Sequence, residues 1–325
     1  LLYERYLKTE IDGMRGKVFF ILASLLLLVG TVRVRAEEPP QITPDVIYGH
    51  KNGMALVMHV YRPAQANGAA VLQIVSGGYF SPWEPANAKA HLVDRFLKSG
   101  YTVFSVFHGS NPKYTVPEIV SDMRLAVRFI RLHAADYGID PNRIGAIGSS
   151  AGGHLALMLA TTGDDGNSKA SKEVSRMSSR VAAVVAIAAP SDLRDFAKNE
   201  EKLLSSGVIN KGFADLLRPA FKFDPKLEES LSPIAQVTPD DAPTMLIHGD
   251  ADTLVPIENS QRILVPLQEQ KVPAELVVLP GVGHAPSGEQ MKKLSESIEQ
   301  AVAWFDKYVK ERKGAGAAAA AEVSK

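Results

Sequence analysis

The chain of 325 residues contains no cysteine. Neither disulfides nor thiolate metal sites can help hold the fold, and stability has to come from packing. Net charge is missing as well, since 36 basic side chains balance 36 acidic ones. That balance gives no reason to expect nucleic acid or an acidic membrane surface as a partner. The apolar run Val18 to Val29 falls well short of the roughly 20 residues a bilayer-spanning helix needs. No internal repeat is evident, and no Pro/Gly/Ser-rich linker divides the chain into two domains.

That apolar run reads instead as an address label. Met14-Arg15-Gly16-Lys17 precedes it, and Val34-Arg35-Ala36 follows before Glu37, the order of a positive n-region, an h-region and a small residue at a cleavage point. The expectation is an upstream extension and signal peptide over residues 1–36 and a secreted or periplasmic mature protein with no stable membrane anchor after cleavage. Residues 313–325, rich in Gly and Ala, read as a low-complexity tail.

Between these ends, 37–312 reads as a single domain. Lys51-Asn52-Gly53 separates two extended runs, a hairpin signal. Six short, nearly continuous apolar runs follow, at 69–75, 101–107, 143–148, 181–189, 242–249 and 274–281, as strands buried on both faces of a parallel sheet require. Helical patterns alternate with them at Ala86 to Ser99, Pro117 to Tyr137, Ala151 to Thr161, Ile257 to Gln270 and Ser287 to Arg312. The pattern predicts a mostly parallel, doubly wound α/β sheet behind an antiparallel hairpin. One long interval without strand pattern, 191–241, reads as a small lid insertion.

The chemistry is written most clearly in "IGAIGSSAGGHLALMLA". G-x-S-x-G fits only with Ser150 at its centre, because Ile147 stands where Ser149 would need a glycine. A strand ending near Ile147 and a helix starting near Ala151 would lift the Ser150 hydroxyl above the sheet edge on a sharp turn. A serine becomes a nucleophile when a base takes its proton. Base and orienting acid should follow on loops after later strands. Asp252 in "LIHGDADTLVP" and His284 in "LPGVGHAP" hold those places; Asp250 and Asp192 compete for the acid role. His50, His59, His91, His108, His133, His154 and His248 read as hydrogen-bonding or surface residues. Gly77 and Gly78, just after the third strand, with Ala151, could offer backbone N–H groups to a developing oxyanion. Tyr79 and Trp83 follow those glycines as candidates for stacking on a sugar or phenolic ring, whereas Phe80 reads as core.

From about Asp45 to Arg312 the chain resembles the α/β-hydrolase superfamily, and within it the secreted carboxylesterases related to acetyl-xylan and feruloyl esterases. The most specific segments are "DPNRIGAIGSSAGGHLAL", "APTMLIHGDADTLVP" and "PGVGHAP". The resemblance implies Ser150 as nucleophile, Asp252 as acid and His284 as base, with no metal or organic cofactor. The implied partner is a small-molecule or carbohydrate ester. Relatives usually carry His before the two oxyanion glycines, where this chain has Ser76; either its hydroxyl braces that loop as the imidazole does, or the oxyanion hole is looser. The alternatives are a secreted serine exopeptidase of the prolyl peptidase type, which is expected to carry a large propeller beyond a length like this one, and a non-catalytic α/β-hydrolase-fold binding protein, which is expected to have lost a triad member.

Overall fold

Asn52 and Gly53, both at positive φ (49° and 78°), make the tight connection that the right-handed strand twist favours. They join β1 (Gln41–Lys51) to β2 (Met54–Arg62) as an antiparallel hairpin. The computed structural model describes residues 39–88, 91–194 and 225–312. The apolar runs become β3 (Ala70–Val75), β4 (Thr102–Phe107), β5 (Ile144–Ser149), β6 (Ala183–Ile187), β7 (Thr244–Gly249) and β8 (Ala274–Leu279). The strands lie in one sheet in the order β1-β2-β4-β3-β5-β6-β7-β8. Pairing is antiparallel for β1 with β2 and β2 with β4, and parallel from β4 to β8. β4, β6 and β7 are buried along their whole length, as their continuous apolar sequences require. β8 departs from that expectation: it is the sheet's edge, and Val278 is 43% exposed there.

Helices α1 (His91–Lys98), α2 (Val116–Leu132), α3 (Ala134–Tyr137), α4 (Ala151–Thr162), α5 (Pro225–Glu228), α6 (Glu258–Glu269) and α7 (Glu289–Phe305) are described around the sheet. The i, i+3, i+4 stripe Val116, Ile119, Val120, Met123, Val127, Ile130 of α2 joins Leu155 and Leu159 of α4 in one core layer. Val93 and Phe96 of α1 and Ile298, Val302 and Phe305 of α7 belong to another. Two expected single helices are interrupted. The one after Pro117 breaks at His133, and Gly138 in the left-handed region (φ 66°) then ends α3. The last relaxes after Phe305 into a π-helical turn, Asp306–Lys310.

The strand order places the site. The chain steps from β3 outward to β4, then returns to the other side of β3 with β5. Successive crossovers therefore leave a crevice at the carboxyl ends of β3 and β5, where open α/β sheets bind ligands. Of the expected insertion, residues 195–224 lie outside the described residues, as do the expected leader and tail. No described helix is long and apolar enough to cross a membrane.

Candidate active site

Ser150 stands between β5 and α4 with φ 54° and ψ −124°. A non-glycine residue held in such a conformation costs about 1–3 kcal/mol and persists only when its surroundings enforce it. Here its N–H donates to the Ile187 carbonyl at 2.8 Å, and its own carbonyl accepts from the His154 N–H at 3.0 Å. The glycine two residues earlier is obligatory: a Cβ on Gly148 would lie 2.3 Å from the Gly152 carbonyl oxygen.

His284 and Asp252 reach the serine from the neighbouring strand-end loops. The His284 Nε2 is 2.9 Å from Ser150 Oγ, and its Nδ1 is 2.7 Å from Asp252 Oδ2. The other Asp252 oxygen accepts the N–H groups of Leu254 (3.0 Å) and Val255 (2.8 Å). Burial alone would raise the Asp252 pKa, but hydrogen bonds from His248, His284 and Val255 outweigh it and hold the carboxyl at about 2. Ionised Asp252 fixes the His284 proton on Nδ1, which turns the Nε2 lone pair toward the serine hydroxyl. The two loops interlock. The Gly281 N–H donates to Asp250 Oδ1 at 2.6 Å and the Ala251 N–H to the Val282 carbonyl at 3.2 Å. A Cβ on Gly249 would come within 2.0 Å of that same carbonyl oxygen. Asp250 thus braces the His284 loop. Asp192 is buried against Arg194 (2.8 Å), Arg262 (2.8 Å) and Ser232, away from the imidazole. Neither makes a bond to His284.

The turn after β3 corrects part of the expected oxyanion arrangement. Gly77 and Phe80 exchange both backbone hydrogen bonds, Gly77 N–H to Phe80 C=O at 2.9 Å and Phe80 N–H to Gly77 C=O at 3.0 Å. Gly78 (φ 57°) and Tyr79 (φ 62°) form the corner of this type I′ turn. The Gly77 N–H is therefore spent inside the turn and is not a donor to substrate. The N–H groups of Gly78 and of Ala151, first residue of α4, make no hydrogen bond among the described residues. The same corner reverses two aromatic assignments. Tyr79 turns inward, 2% exposed, with its ring edge-on to His154 at 5.6 Å, whereas Phe80 is 39% exposed. Trp83 is 54% exposed, its indole N–H donating to Asp45 Oδ1 at 2.8 Å.

The family model described as BD-FAE matches residues 58–267, more than half of the chain. The chain belongs to the BD-FAE family. Esterase LipQ of Mycobacterium tuberculosis is 28% identical over 246 residues, covering 75% of this chain and 57% of the relative. Endo-1,4-beta-xylanase B of Butyrivibrio fibrisolvens is 28% identical over 218 residues, 65% of this chain and 31% of that protein. The chain thus spans little more than half of LipQ and less than a third of the xylanase. The acetyl ester-xyloside bifunctional hydrolase of Caldicellulosiruptor lactoaceticus superposes with a TM-score of 0.64 at 24% identity, over 84% of this chain and 98% of that one. It shares the α/β-hydrolase fold.

Within this BD-FAE fold, the support of the oxyanion turn comes from residues that carry no motif. The Ser76 Oγ is buried without a hydrogen-bond partner, so it does not brace the loop as the missing imidazole would. Ser81 does: its hydroxyl donates to the Val75 carbonyl at 2.6 Å and accepts the His108 N–H at 3.3 Å. The Ser81 N–H donates to Ser110 Oγ at 2.9 Å, and the Asn111 N–H to the Tyr79 carbonyl at 3.0 Å. His248, buried between Ser260 (2.7 Å) and the Val255 carbonyl (2.8 Å), supports the Asp252 loop in the same way. His108 and His154 are buried too, and burial pushes each down to about 4, so both are neutral hydrogen-bonding residues. Only spatial proximity identifies these supports. Ser81→Ala is expected to lower kcat about tenfold with little change in KM, because a displaced oxyanion donor is felt in the transition state. Ser76→Ala, which removes a hydroxyl with no partner, should stay within about twofold of the parent by the same measure. Steady-state kinetics on one aryl ester decides between the two serines.

Proposed function

We propose that this chain hydrolyses carboxylic esters through an acyl-enzyme on Ser150. The observation that carries the reading is one imidazole, His284, held between Ser150 at 2.9 Å and Asp252 at 2.7 Å on three separate strand-end loops. In the first half-reaction the Ser150 Oγ bonds to the ester carbonyl carbon as its proton passes to His284 Nε2. The N–H groups of Gly78 and Ala151 are the donors assigned to the resulting oxyanion. Collapse breaks the carbon–oxygen bond to the alcohol, which leaves with the proton from the imidazolium. Water then repeats the sequence, giving its proton to His284 and releasing the acid and free serine. Asp252 stays ionised throughout and stabilises the imidazolium. Among the described residues no group of three or more His, Asp or Glu is arranged to hold a metal ion.

The substrate class we infer is short-chain or hydroxycinnamoyl esters of carbohydrate, met outside the cytoplasm. Its supports are the names of relatives, an esterase and a xylanase, and the exposed Phe80 and Trp83 beyond the oxyanion turn. The test is a screen of purified protein against aryl acetates, longer acyl esters, acetylated xylan, feruloyl sugars and aminoacyl-proline amides. Short acyl and feruloyl sugar esters should give the highest kcat/KM. Faster cleavage of the amides than of any ester would assign a peptidase instead.

A further inference from the structure

Trp83 is held in a way that folding alone does not require. It is 54% exposed, and large aromatic rings are normally withdrawn from water. Yet it is fixed. Its indole N–H is bonded to Asp45 Oδ1 at 2.8 Å, and its ring meets His59 edge-on at 6.1 Å. The holder is itself held. Asp45 has φ 53° at an irregularity of β1 between Thr43 and Val46, a backbone conformation that persists only where neighbours impose it. Its N–H donates to His59 Nδ1 at 3.1 Å, which leaves the proton of that buried imidazole on Nε2, donating to the Glu84 carbonyl at 2.8 Å. A bulged strand, a buried histidine and a left-handed aspartate thus converge to present one indole to solvent.

We propose that Trp83, with the Asp45 carboxylate beside it, is a subsite for an uncharged sugar ring of the chain that bears the ester. An indole offers the apolar platform on which the C–H face of a sugar stacks, and carboxylate oxygens accept from its hydroxyls. The Asp45 carboxylate bonded to the indole N–H repels a uronate, so the ring taken is neutral. Location sets the length of the ligand. Trp83 lies against His59 of β2, and Ser150 follows β5, three strands away in the order β2-β4-β3-β5. At roughly 4.8 Å per strand the separation across the sheet alone is about 15 Å, so the ligand must be at least a short oligosaccharide, and an acyl group cannot reach. The inference rests on the ester-hydrolase reading for its reaction, not for its binding.

Binding is therefore measured apart from catalysis. The chain has two tryptophans, and Trp304 is 6% exposed in the core, so a ligand-dependent change in emission reports Trp83. Full-length Ser150→Ala protein titrated with neutral xylo-oligosaccharides should show a saturable emission change, absent with Trp83→Phe added and much weaker with uronate-substituted oligosaccharides. In the Ser150 protein, Trp83→Ala should lower the ratio of kcat/KM on acetylated xylo-oligosaccharide to that on an aryl acetate by about tenfold, the scale of one lost stacking contact. A flat titration, or an unchanged ratio, overturns the subsite. A saturable titration beside no hydrolysis of any ester leaves the subsite standing and rejects the esterase reading instead.

Discussion

Ser150→Ala should lower ester turnover by about 10³-fold or more, leaving only what binding and the oxyanion donors supply. The replaced Oγ is the atom that His284 addresses at 2.9 Å, and no other described hydroxyl hydrogen-bonds to that imidazole. Folding should survive. The backbone bonds that hold the elbow, from Ser150 N–H to Ile187 and from His154 N–H to Ser150, do not involve the side chain, and alanine fits the same space. Ser149→Ala, one residue earlier at an exposed position of β5, serves as the control and should cost far less. Kinetics of both variants on an aryl acetate, with thermal unfolding of each, makes the comparison. An active Ser150→Ala protein, or equal losses at the two serines, would show that the nucleophile lies elsewhere.

Asp252→Asn should be nearly as damaging, on the order of 10³- to 10⁴-fold in kcat, although it changes one atom. The asparagine carbonyl would still accept from Leu254 and Val255, where Oδ1 now does. Its amide N–H₂ would then face His284 Nδ1 and force the imidazole proton onto Nε2, toward the serine. The base would be in place with the wrong tautomer. Asp250→Asn keeps a carbonyl acceptor for the Gly281 N–H and should retain most activity. Asp192→Asn loses charge opposite Arg194 and Arg262, which affects stability first. A dead Asp192→Asn beside a healthy Asp252→Asn would move the acid to β6. The lowered pKa also has a thermodynamic sign. With the folded carboxyl at about 2 and the unfolded one at about 3.9, Asp252 adds stability that is complete above the unfolded value and lost as pH falls toward 2. Acid unfolding of Asp252→Asn should accordingly show a shallower pH dependence over that window.

Local patterns account for what was legible in the chain. A buried parallel strand must be apolar on both faces, so β4, β6 and β7 are visible as continuous runs. The elbow is visible because Gly148 has no room for a Cβ. Ser150, Asp252 and His284 each occupy a strand-end loop whose composition marks it. What was hidden depends on pairing across loops. Two glycines in a row signal a turn but not its type, and the type decided that the Gly77 N–H is consumed, Tyr79 turns inward and Phe80 outward. Ser81, Ser110 and His248 belong to no periodic pattern and take their roles from neighbours distant in sequence. The exposure of Val278 follows from β8 standing last in the sheet, an order that composition does not encode.

The interlocking of the β7 and β8 loops divides the candidate site into two parts. With the Val282 carbonyl seated against Gly249 and Gly281 tied to Asp250, the loops that carry Asp252 and His284 are joined to each other, while Ser150 stands apart on the turn after β5. Loosening along the seam between the two parts is the expected first response to warming, in which case the Ser150–His284 contact should lengthen before the His284–Asp252 one. Reversible heat inactivation should then leave the downfield imidazole proton signal of the His284–Asp252 pair intact after turnover has stopped.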